Sequence, residues 1–333
     1  MRKTLLAVLS LIAMPALLAG CGDIVTFNAK GQVGVEQGNL IILAFALMLI
    51  VVIPAILMTF WFGWKYRASN KLAEYLPNWS HSTKIEVVVW GVPCIIIAAL
   101  AYVTYVSSHE LDPYKTIESD KPALEINVIA KPFKWVFIYP EENIATVNEI
   151  SIPVDRPVTF NITSDFTMNS FFIPHLGGMV YAMAGMRTQL NLIANEAGEF
   201  RGLSANYAGH GFSRMRFKVH AVSDQAYADW VAKAKASSDT LDQATYDALR
   251  DYSQQGVAEA KAASHHEPLE PAPVQYFGAV EPGLFKAVID KYMTAKHAGH
   301  GHGAKDAGHA AEQHSTEAEH STTPAHAGAA GGH

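Results

Sequence analysis

The pattern of apolar and polar residues divides the chain into stretches of different periodicity. No Asp, Glu, Lys or Arg occurs at residues 37–64, and none occurs at residues 87–109. Each run is longer than the ~20 apolar residues that cross the hydrocarbon core of a bilayer. A buried core helix of a soluble protein explains one such run more readily than two. The pattern therefore predicts transmembrane helices at residues 39–64 and 85–108.

Beyond Pro113, apolar residues recur at every second position in short runs separated by turn-forming residues. This spacing is typical of half-buried strands. It predicts an antiparallel sandwich or barrel over residues 122–221, about the size of a single β-sandwich domain. The alternating runs begin at these residues: Leu124, Phe133, Ile150, Val158, Leu190 and Met215.

A helical spacing of apolar residues returns over residues 222–293. Ser223 is a suitable N-cap for a first helix. Thr240 and Gln243 have the spacing of a capping box, which predicts the start of a second short helix. A third candidate helix runs over residues 282–293. The region is therefore predicted to add short helices after the sandwich.

The tail at residues 294–333 is rich in Ala, Gly and His and has few large apolar side chains. Such a segment cannot bury enough surface to offset its ordering entropy, so it is predicted to be disordered. Imidazoles in number bind copper, nickel or zinc. A solvated tail and a scavenger of periplasmic metal both remain open. The histidines of the tail are His297, His300, His302, His309, His314, His320, His326 and His333.

The first residues have the features of a secretory signal peptide. Arg2 and Lys3 precede a short apolar stretch, which ends in small residues before Cys21. This Leu-Ala-Gly-Cys sequence resembles the bacterial lipoprotein box, so residues 1–20 are predicted to be removed and Cys21 to carry lipid. Ordinary cleavage that leaves a free Cys21 is the alternative. The segment 21–38 then lies in the periplasm.

The positive charges near the two predicted spans set the orientation. The loop at residues 65–84 contains four basic residues against one Glu, whereas the segment before the first span contains only Lys30. Basic residues concentrate in cytoplasmic loops. The loop is therefore predicted to be cytoplasmic, and the sandwich is predicted to lie in the periplasm, attached to the bacterial inner membrane.

Composition argues against two further features, nucleic-acid binding and a disulfide bond. The formal net charge is −6 and the basic residues are scattered, which gives no support for nucleic-acid binding. The chain contains two cysteines, Cys21 and Cys94, and the second lies within the second apolar run. A disulfide between them is implausible, so the exported part is predicted to fold without one.

Three motifs carry a resemblance to subunit II of the haem–copper respiratory oxidases. "SDFTMNSFFIPHLGG" (164–178) and "FRGLSANYAGHGFSRM" (200–215) are similar to the two loops that hold a dinuclear copper centre in that family. "HSTKIEVVVW" (81–90) is similar to the start of the family's second transmembrane helix. The resemblance implies a two-helix transmembrane hairpin followed by a periplasmic cupredoxin-like β-sandwich.

The resemblance also shows which copper ligands are missing. The family's two histidine positions correspond to Asn169 and Gly211, and its two cysteine positions correspond to Leu203 and Tyr207. Soft thiolates are needed to stabilise Cu(I) in such a centre. We therefore expect no metal or other cofactor in this chain, and we expect Tyr207 to fill the space of the metal.

Loss of this site is the rule in the quinol-oxidase branch of the family, the cytochrome bo type. Membership of that branch implies that haem and copper belong to subunit I, and that ubiquinol donates its electrons there. The partners implied are subunit I, further subunits of the oxidase and membrane lipid. Two other functions remain open: subunit II of a cytochrome c oxidase, and a stand-alone metal-binding lipoprotein that uses its histidine tail.

Two residues acquire a candidate role from the resemblance. Glu86 matches the acid at the mouth of the family's lysine-lined proton channel, although a plain interfacial carboxylate is the alternative. Trp135 lies in the aromatic stretch that faces subunit I in copper-bearing relatives. It is therefore a candidate for packing at the surface that docks on subunit I.

Overall fold

The computed structural model describes residues 24–72, 77–209, 211–249 and 271–299. The predicted signal peptide with Cys21 and the histidine-rich tail beyond residue 299 lie outside these ranges. Two long helices come first, α1 (Gln32–Lys65) and α2 (Thr83–Glu110), and each is long and apolar enough to cross a membrane. Their apolar side chains are mostly exposed within this chain, as expected of helices that face lipid or another subunit.

A β-sandwich follows the helices, which confirms the predicted fold class. Its first sheet has the strand order β12-β3-β2-β1-β5-β8, and its second has the order β4-β10-β9-β6-β7. A short pair, β11 and β13, lies in the C-terminal region. The strands are β1 (Leu124–Lys131), β2 (Lys134–Tyr139), β3 (Ile144–Val147), β4 (Glu149–Pro153), β5 (Val158–Ser164), β6 (Asn169–Phe172), β7 (Met179–Ala182), β8 (Thr188–Leu192), β9 (Gly198–Ser204), β10 (Arg216–Val222), β11 (Thr240–Leu241), β12 (Gln275–Phe277) and β13 (Ala279–Val280).

The expectation of a purely antiparallel sandwich was wrong. Strands β1 and β5 pair in parallel, with Leu124 opposite Val158, and β4 and β10 also pair in parallel. The chain crosses from one sheet to the other after β3 and again after β4, so strands of the same direction become neighbours. Alternation of apolar residues sets which face of a strand is buried, but it does not select the neighbouring strand.

The two sheets enclose one aromatic-rich core. Trp135, Phe137, Phe160 and Phe171 have no exposed surface, and the rings of Phe171 and Phe217 stack with centroids 5.2 Å apart. Each fully buried Phe side chain contributes about 1.5–3 kcal/mol through its removal from water. The core therefore holds the strand ends, and the loops that leave them, in fixed positions.

Within the described ranges, three helices follow the sandwich: α3 (Asp224–Lys235), α4 (Gln243–Ala248) and α5 (Leu284–Gly299). The Ser223 hydroxyl accepts a hydrogen bond from the Ala226 amide at 3.3 Å, so the predicted N-cap is confirmed. The predicted capping box of Thr240 was wrong, because Thr240 lies in β11. The N-cap of α4 is Asp242, which precedes the helix directly and is an equally favoured capping residue.

Close backbone contacts attach the first turn of α1 to the sandwich. The Gly34 amide donates to the Leu176 carbonyl at 3.0 Å, and the Lys30 amide donates to the His175 carbonyl at 2.6 Å. Gly177 has φ +86, and a Cβ there would lie 2.6 Å from the Gly34 nitrogen. Only glycine allows this approach of two backbones. The sandwich is therefore positioned directly against the start of the first helix.

Candidate functional site

The structure brings the two loops of the resemblance together at one end of the sandwich. Asn169 begins β6, and the neighbouring strand β9 ends at Ser204, whose hydroxyl lies 3.3 Å from the Asn169 side-chain oxygen. The Ala205 amide donates to the Ser170 carbonyl at 3.1 Å. The connection from β9 to β10 then runs past this point. The positions that hold metal in the resemblance therefore converge, although sequence separates them by more than thirty residues.

The side chains at these positions do not fit a dinuclear copper centre. The Asn169 amide donates to the Thr167 carbonyl at 2.9 Å, and Leu203 and Gly211 have no donor atoms. Tyr207 is 69% exposed and stacks at an angle on Phe212, with ring centroids 5.6 Å apart. The expectation that Tyr207 fills the space of the metal was therefore wrong. These side chains therefore provide no route for electron transfer through a dinuclear copper centre.

Phe133 fills the space next to Gly211 instead. A Cβ at Gly211 would lie 2.2 Å from Cγ of the Phe133 ring, so no side chain fits there without movement of that ring. Phe133 is held in the left-handed region, at φ 59, and its ring packs edge-on against Phe166 with centroids 5.9 Å apart. The turn between β1 and β2 therefore occupies the place that an imidazole at residue 211 would need.

Trp135 lies below this loop and not at the surface. Its side chain has no exposed area, and its ring packs edge-on against Phe171 and Phe217. Its indole Nε1 lies 3.5 Å from the Met215 carbonyl oxygen. Within this chain Trp135 therefore supports the loop from beneath, and its packing at the surface that docks on subunit I stays a prediction. Alternating aromatic residues in a strand did not reveal which face was buried.

Glu86 lies in the first turn of α2, where its carboxylate is accessible. Its Oε1 lies 2.7 Å from Nδ1 of His81, and both side chains are about half exposed or more. Periodicity did not indicate His81, since a separation of five residues across a helix start is not a helical pairing. The pair stands at the predicted cytoplasmic end of the helix.

A buried ionic cluster joins the sandwich to the C-terminal helices. Asp165 is fully buried, and it accepts hydrogen bonds from the Lys291 ammonium at 2.6 Å and the Tyr292 hydroxyl at 2.8 Å. Lys131, also fully buried, lies 3.7 Å from its other oxygen. Burial by itself would raise the pKa of Asp165, but these hydrogen bonds and cations together lower it. The cluster therefore stabilises the attachment of α5 to β1 and β5.

A second cluster surrounds Glu149 at the start of β4. Its Oε1 accepts hydrogen bonds from Trp230 Nε1, at 3.2 Å, and from the Tyr276 hydroxyl. His220 Nε2 lies 3.5 Å from Oε2 of Glu149, and His220 Nδ1 lies 3.2 Å from Glu199. The contact with His220 lowers the pKa of Glu149 to about 2 despite partial burial, and it raises the pKa of His220. No periodicity in the sequence indicated this cluster.

Nothing in the described ranges has the composition of a metal site. Among those residues, no group of three or more His, Cys, Asp or Glu is close enough to hold an ion. Residues 294–299, with His297, lie in α5. The other tail histidines lie outside the described ranges, so the predicted metal affinity of the tail stays a prediction. Cys94 is exposed on α2, and it has no disulfide partner among the described residues.

Comparison with known proteins gives two family matches. Residues 104–222 match the family described as "Cytochrome C oxidase subunit II, periplasmic domain", and residues 266–296 match the "COX Aromatic Rich Motif". The first covers the sandwich together with the end of α2. The second covers β12, β13 and most of α5, the elements that carry Tyr276, Lys291 and Tyr292.

Curated relatives match over most of their length. The chain is 52% identical over 300 residues to "Cytochrome bo(3) ubiquinol oxidase subunit 2" of Pseudomonas aeruginosa, covering 90% of this chain and 85% of that protein. It is 52% identical over 279 residues to "Ubiquinol oxidase subunit 2" of Acetobacter aceti, covering 83% and 85%. Among solved structures, the periplasmic domain of subunit II of cytochrome oxidase of Bradyrhizobium japonicum is 23% identical, with a TM-score of 0.33 over 36% of this chain and 97% of that chain.

Proposed function

The chain belongs to the subunit 2 family of the ubiquinol oxidases, and from that premise we propose how it serves the complex. It is a subunit of a terminal ubiquinol oxidase. We propose that it acts as a periplasmic scaffold and a proton-uptake aid, and that it carries no electrons itself. Haem and copper then reside in subunit I, where ubiquinol is oxidised and oxygen is reduced to water.

The contact between Phe133 and Gly211 carries the proposal on electron transfer. A dinuclear copper centre needs soft thiolates and two imidazoles. The Phe133 ring, from the turn between β1 and β2, occupies the place where one of these imidazoles would stand. With ubiquinol as the reductant, electrons reach subunit I from within the membrane. The exported domain then has no electron to transfer, and its loops can instead make packing contacts.

Copper analysis of the assembled oxidase tests this proposal. Met215 lies near the position of a methionine ligand in the resembling family, and Tyr207 lies at a cysteine position. We expect Met215→Leu and Tyr207→Phe to leave the copper content per complex and the rate of ubiquinol oxidation unchanged. Loss of copper in either variant would show that this loop binds the metal. A copper-loaded chain that purifies without a haem-containing subunit would instead favour a stand-alone metal-binding lipoprotein.

We propose further that exposed side chains around the copper-like loop, above the buried Trp135, dock on subunit I. Met168 and Tyr207 are both exposed, and their loops are in contact. The side-chain amide of Asn206, the residue before Tyr207, donates a hydrogen bond to the Met168 carbonyl at 2.9 Å. Tyr181 on the edge strand β7 lies opposite Ser170 and is also exposed. Tyrosine and methionine are enriched at protein interfaces. Tyr207→Ser together with Tyr181→Ser should reduce co-purification with subunit I, whereas Tyr114→Ser, exposed elsewhere, should not.

The pair of His81 and Glu86 supports a role in proton uptake. In this proposal His81 takes a proton from cytoplasmic water at one ring nitrogen and transfers a proton to Glu86 Oε1 from the other. Glu86 then releases the proton into a water path toward subunit I. The 2.7 Å contact and the exposure of both side chains suit this relay.

Replacement of the carboxylate separates proton uptake from a plain interfacial role. We expect Glu86→Gln to slow turnover and proton uptake of the assembled oxidase, and His81→Gln to shift the pH profile with a smaller loss. Glu118→Gln, in the segment after α2, is the matched control and should change neither. Unchanged proton uptake in Glu86→Gln would sink the proposal.

The two apolar helices and the periplasmic domain fit an inner-membrane protein. We propose that Cys21 adds an N-terminal lipid anchor after removal of residues 1–20. Mass spectrometry of the mature subunit tests this, since Cys21→Ser should abolish any acyl modification without loss of the two helices from the membrane. An unmodified N-terminus at Cys21 in the native protein would refute the anchor.

A further inference from the structure

We propose that a positively charged groove on the second sheet binds an acidic segment of a partner polypeptide. The groove lies over the outward face of β9 and β10 and has a volume of about 570 Å³. Its floor carries Arg201, Arg216 and Lys218, and its wall is the segment 271–274. This surface, here called the basic groove, is distinct from the copper-like loop, from Glu86 and from the proposed docking surface.

The cations of the basic groove are held side by side by the strand register. Arg201 on β9 lies directly opposite Lys218 on β10, and Arg216 lies two residues from Lys218 on the same strand. Arg201 and Lys218 are exposed, and Arg216 is half-buried. Like charges directly opposite each other in an antiparallel pair destabilise the sheet. The arrangement therefore has a cost that a bound anion would offset.

Within the described part of the chain, none of these three side chains makes an ion pair or hydrogen bond. One carboxylate lines the groove, that of Glu199, and it is engaged by His220 Nδ1 at 3.2 Å. The chain as a whole carries a formal charge of −6. A second carboxylate, that of Glu149, lies opposite Lys218 in the pair of β4 and β10. The three cations outnumber these two carboxylates on an acidic chain, which points to an acidic ligand.

Hydrogen bonds hold the wall of the groove against the core. The Asn148 side-chain amide donates to the Ala272 carbonyl at 2.9 Å, while its oxygen accepts from the Trp135 amide at 2.8 Å. Asn148 is itself buried and sits between the core and the wall. A preformed site loses less entropy on binding than one that must be ordered.

The shape of the groove favours a polypeptide over a small anion or a membrane surface. Residues two apart on a strand are about 6.6 Å apart and face the same side, which is also the spacing of alternate carboxylates on an extended chain. The wall, Pro271–Ala272–Pro273–Val274, is apolar and suits the side chains between those carboxylates. A phosphate ion would leave this wall unused, and a flat bilayer would not enter the groove.

Peptide binding to the assembled oxidase tests the proposal. The probe is a fluorescein-labelled decapeptide of alternating Glu and Val, measured by fluorescence anisotropy. The variant Arg201→Gln/Arg216→Gln/Lys218→Gln should raise its Kd by about tenfold or more, since three exposed charge contacts are lost. Binding to the native complex should weaken with added salt. Ubiquinol oxidation should stay at the native rate, which verifies assembly of the variant.

The control variant removes the same charge elsewhere: Lys121→Gln/Lys235→Gln/Lys286→Gln, all at exposed ion pairs. Equal loss of binding in the two triple variants would overturn the proposal, as would no loss in either. Displacement of the peptide by millimolar phosphate would identify a small-anion site instead. Charge-dependent binding of phosphatidylglycerol vesicles without peptide binding would identify a lipid surface. Tighter peptide binding by about tenfold in Glu267→Gln/Glu270→Gln would show that the chain's own acidic residues are the ligand.

Discussion

The ring of Phe133 lies directly against Gly211, so that a Cβ at residue 211 would come within 2.2 Å of the Phe133 Cγ. The turn between β1 and β2 thus packs into the loop that carries metal ligands in the resembling family. We expect Gly211→Ala to lower the free energy of unfolding by about 1–3 kcal/mol, because overpacking forces the ring or the loop to move. Denaturant unfolding, followed by tryptophan fluorescence, measures this change.

A double substitution isolates the contact itself. On a Phe133→Ala background, where the ring is absent, Gly211→Ala should cost clearly less than on the native background. Neighbouring residues show such non-additivity, whereas independent sites do not. Equal costs on both backgrounds would contradict direct packing of Phe133 on Gly211.

The attachment of helix α5 to the sandwich is predicted to be most sensitive to substitution of Asp165. Asp165→Asn removes the buried carboxylate that faces the buried Lys131, and loss of one partner of a buried ion pair costs about 3–5 kcal/mol. Since the pKa of Asp165 is lowered in the folded state, its contribution is present above the unfolded pKa and is lost as pH falls through the folded value. Hydrogen exchange of α5 should therefore accelerate in the variant at neutral pH, and in the native protein only in acid.

The ion pair of Lys286 and Asp290 gives the comparison for this prediction. It lies on the same helix but is exposed, so Lys286→Met should change the stability by less than about 1 kcal/mol. If Lys286→Met and Asp165→Asn accelerate exchange of α5 equally, the buried cluster does not hold that helix.

The cluster around His220 predicts a response to rising pH. The pKa of His220 is raised above its usual value of 6.5 by Glu149, so the protonated form is favoured in the folded state. The stabilisation is fully present below that usual value and is lost as pH rises through the raised pKa. We expect amide exchange in β10 and β12 to accelerate as pH rises beyond that point, after correction for the intrinsic rate.

His220→Gln removes the titrating group while it retains hydrogen-bonding capacity. The corrected exchange of β10 and β12 should then no longer depend on pH in this range. A pH dependence that survives in His220→Gln would assign the effect to another group.

The attachment of α1 to the sandwich is predicted to depend on two glycines. Gly177→Ala places a side chain at φ +86 and within 2.6 Å of the Gly34 nitrogen. The hydrogen bond from the Gly34 amide to the Leu176 carbonyl should then be lost, which hydrogen exchange at Gly34 would register as faster exchange. Gly63→Ala is the control, because the added Cβ would meet no described atom within 4 Å apart from its chain neighbours and its own helix backbone. It should leave that amide protected.

Short-range patterns in the sequence determined the architecture. Uninterrupted apolar runs indicated the two long helices, since a bilayer core admits few charges over that length. Alternation indicated strands, and the identities of Asn169, Leu203, Tyr207 and Gly211 argued against a copper centre because ligand chemistry depends on residue type. These properties belong to individual residues and their immediate neighbours.

Only the tertiary structure decided which side chains meet. Asp165 contacts Lys291 across 126 residues, and Phe133 reaches Gly211 from a turn in another sheet. Trp135 became a core residue and Tyr207 an exposed one, although both are aromatic residues next to the same loop. Local periodicity does not specify contacts between strands that are distant in the sequence. Those contacts depend on sheet order and on the close packing of the core, which approaches the density of an organic crystal.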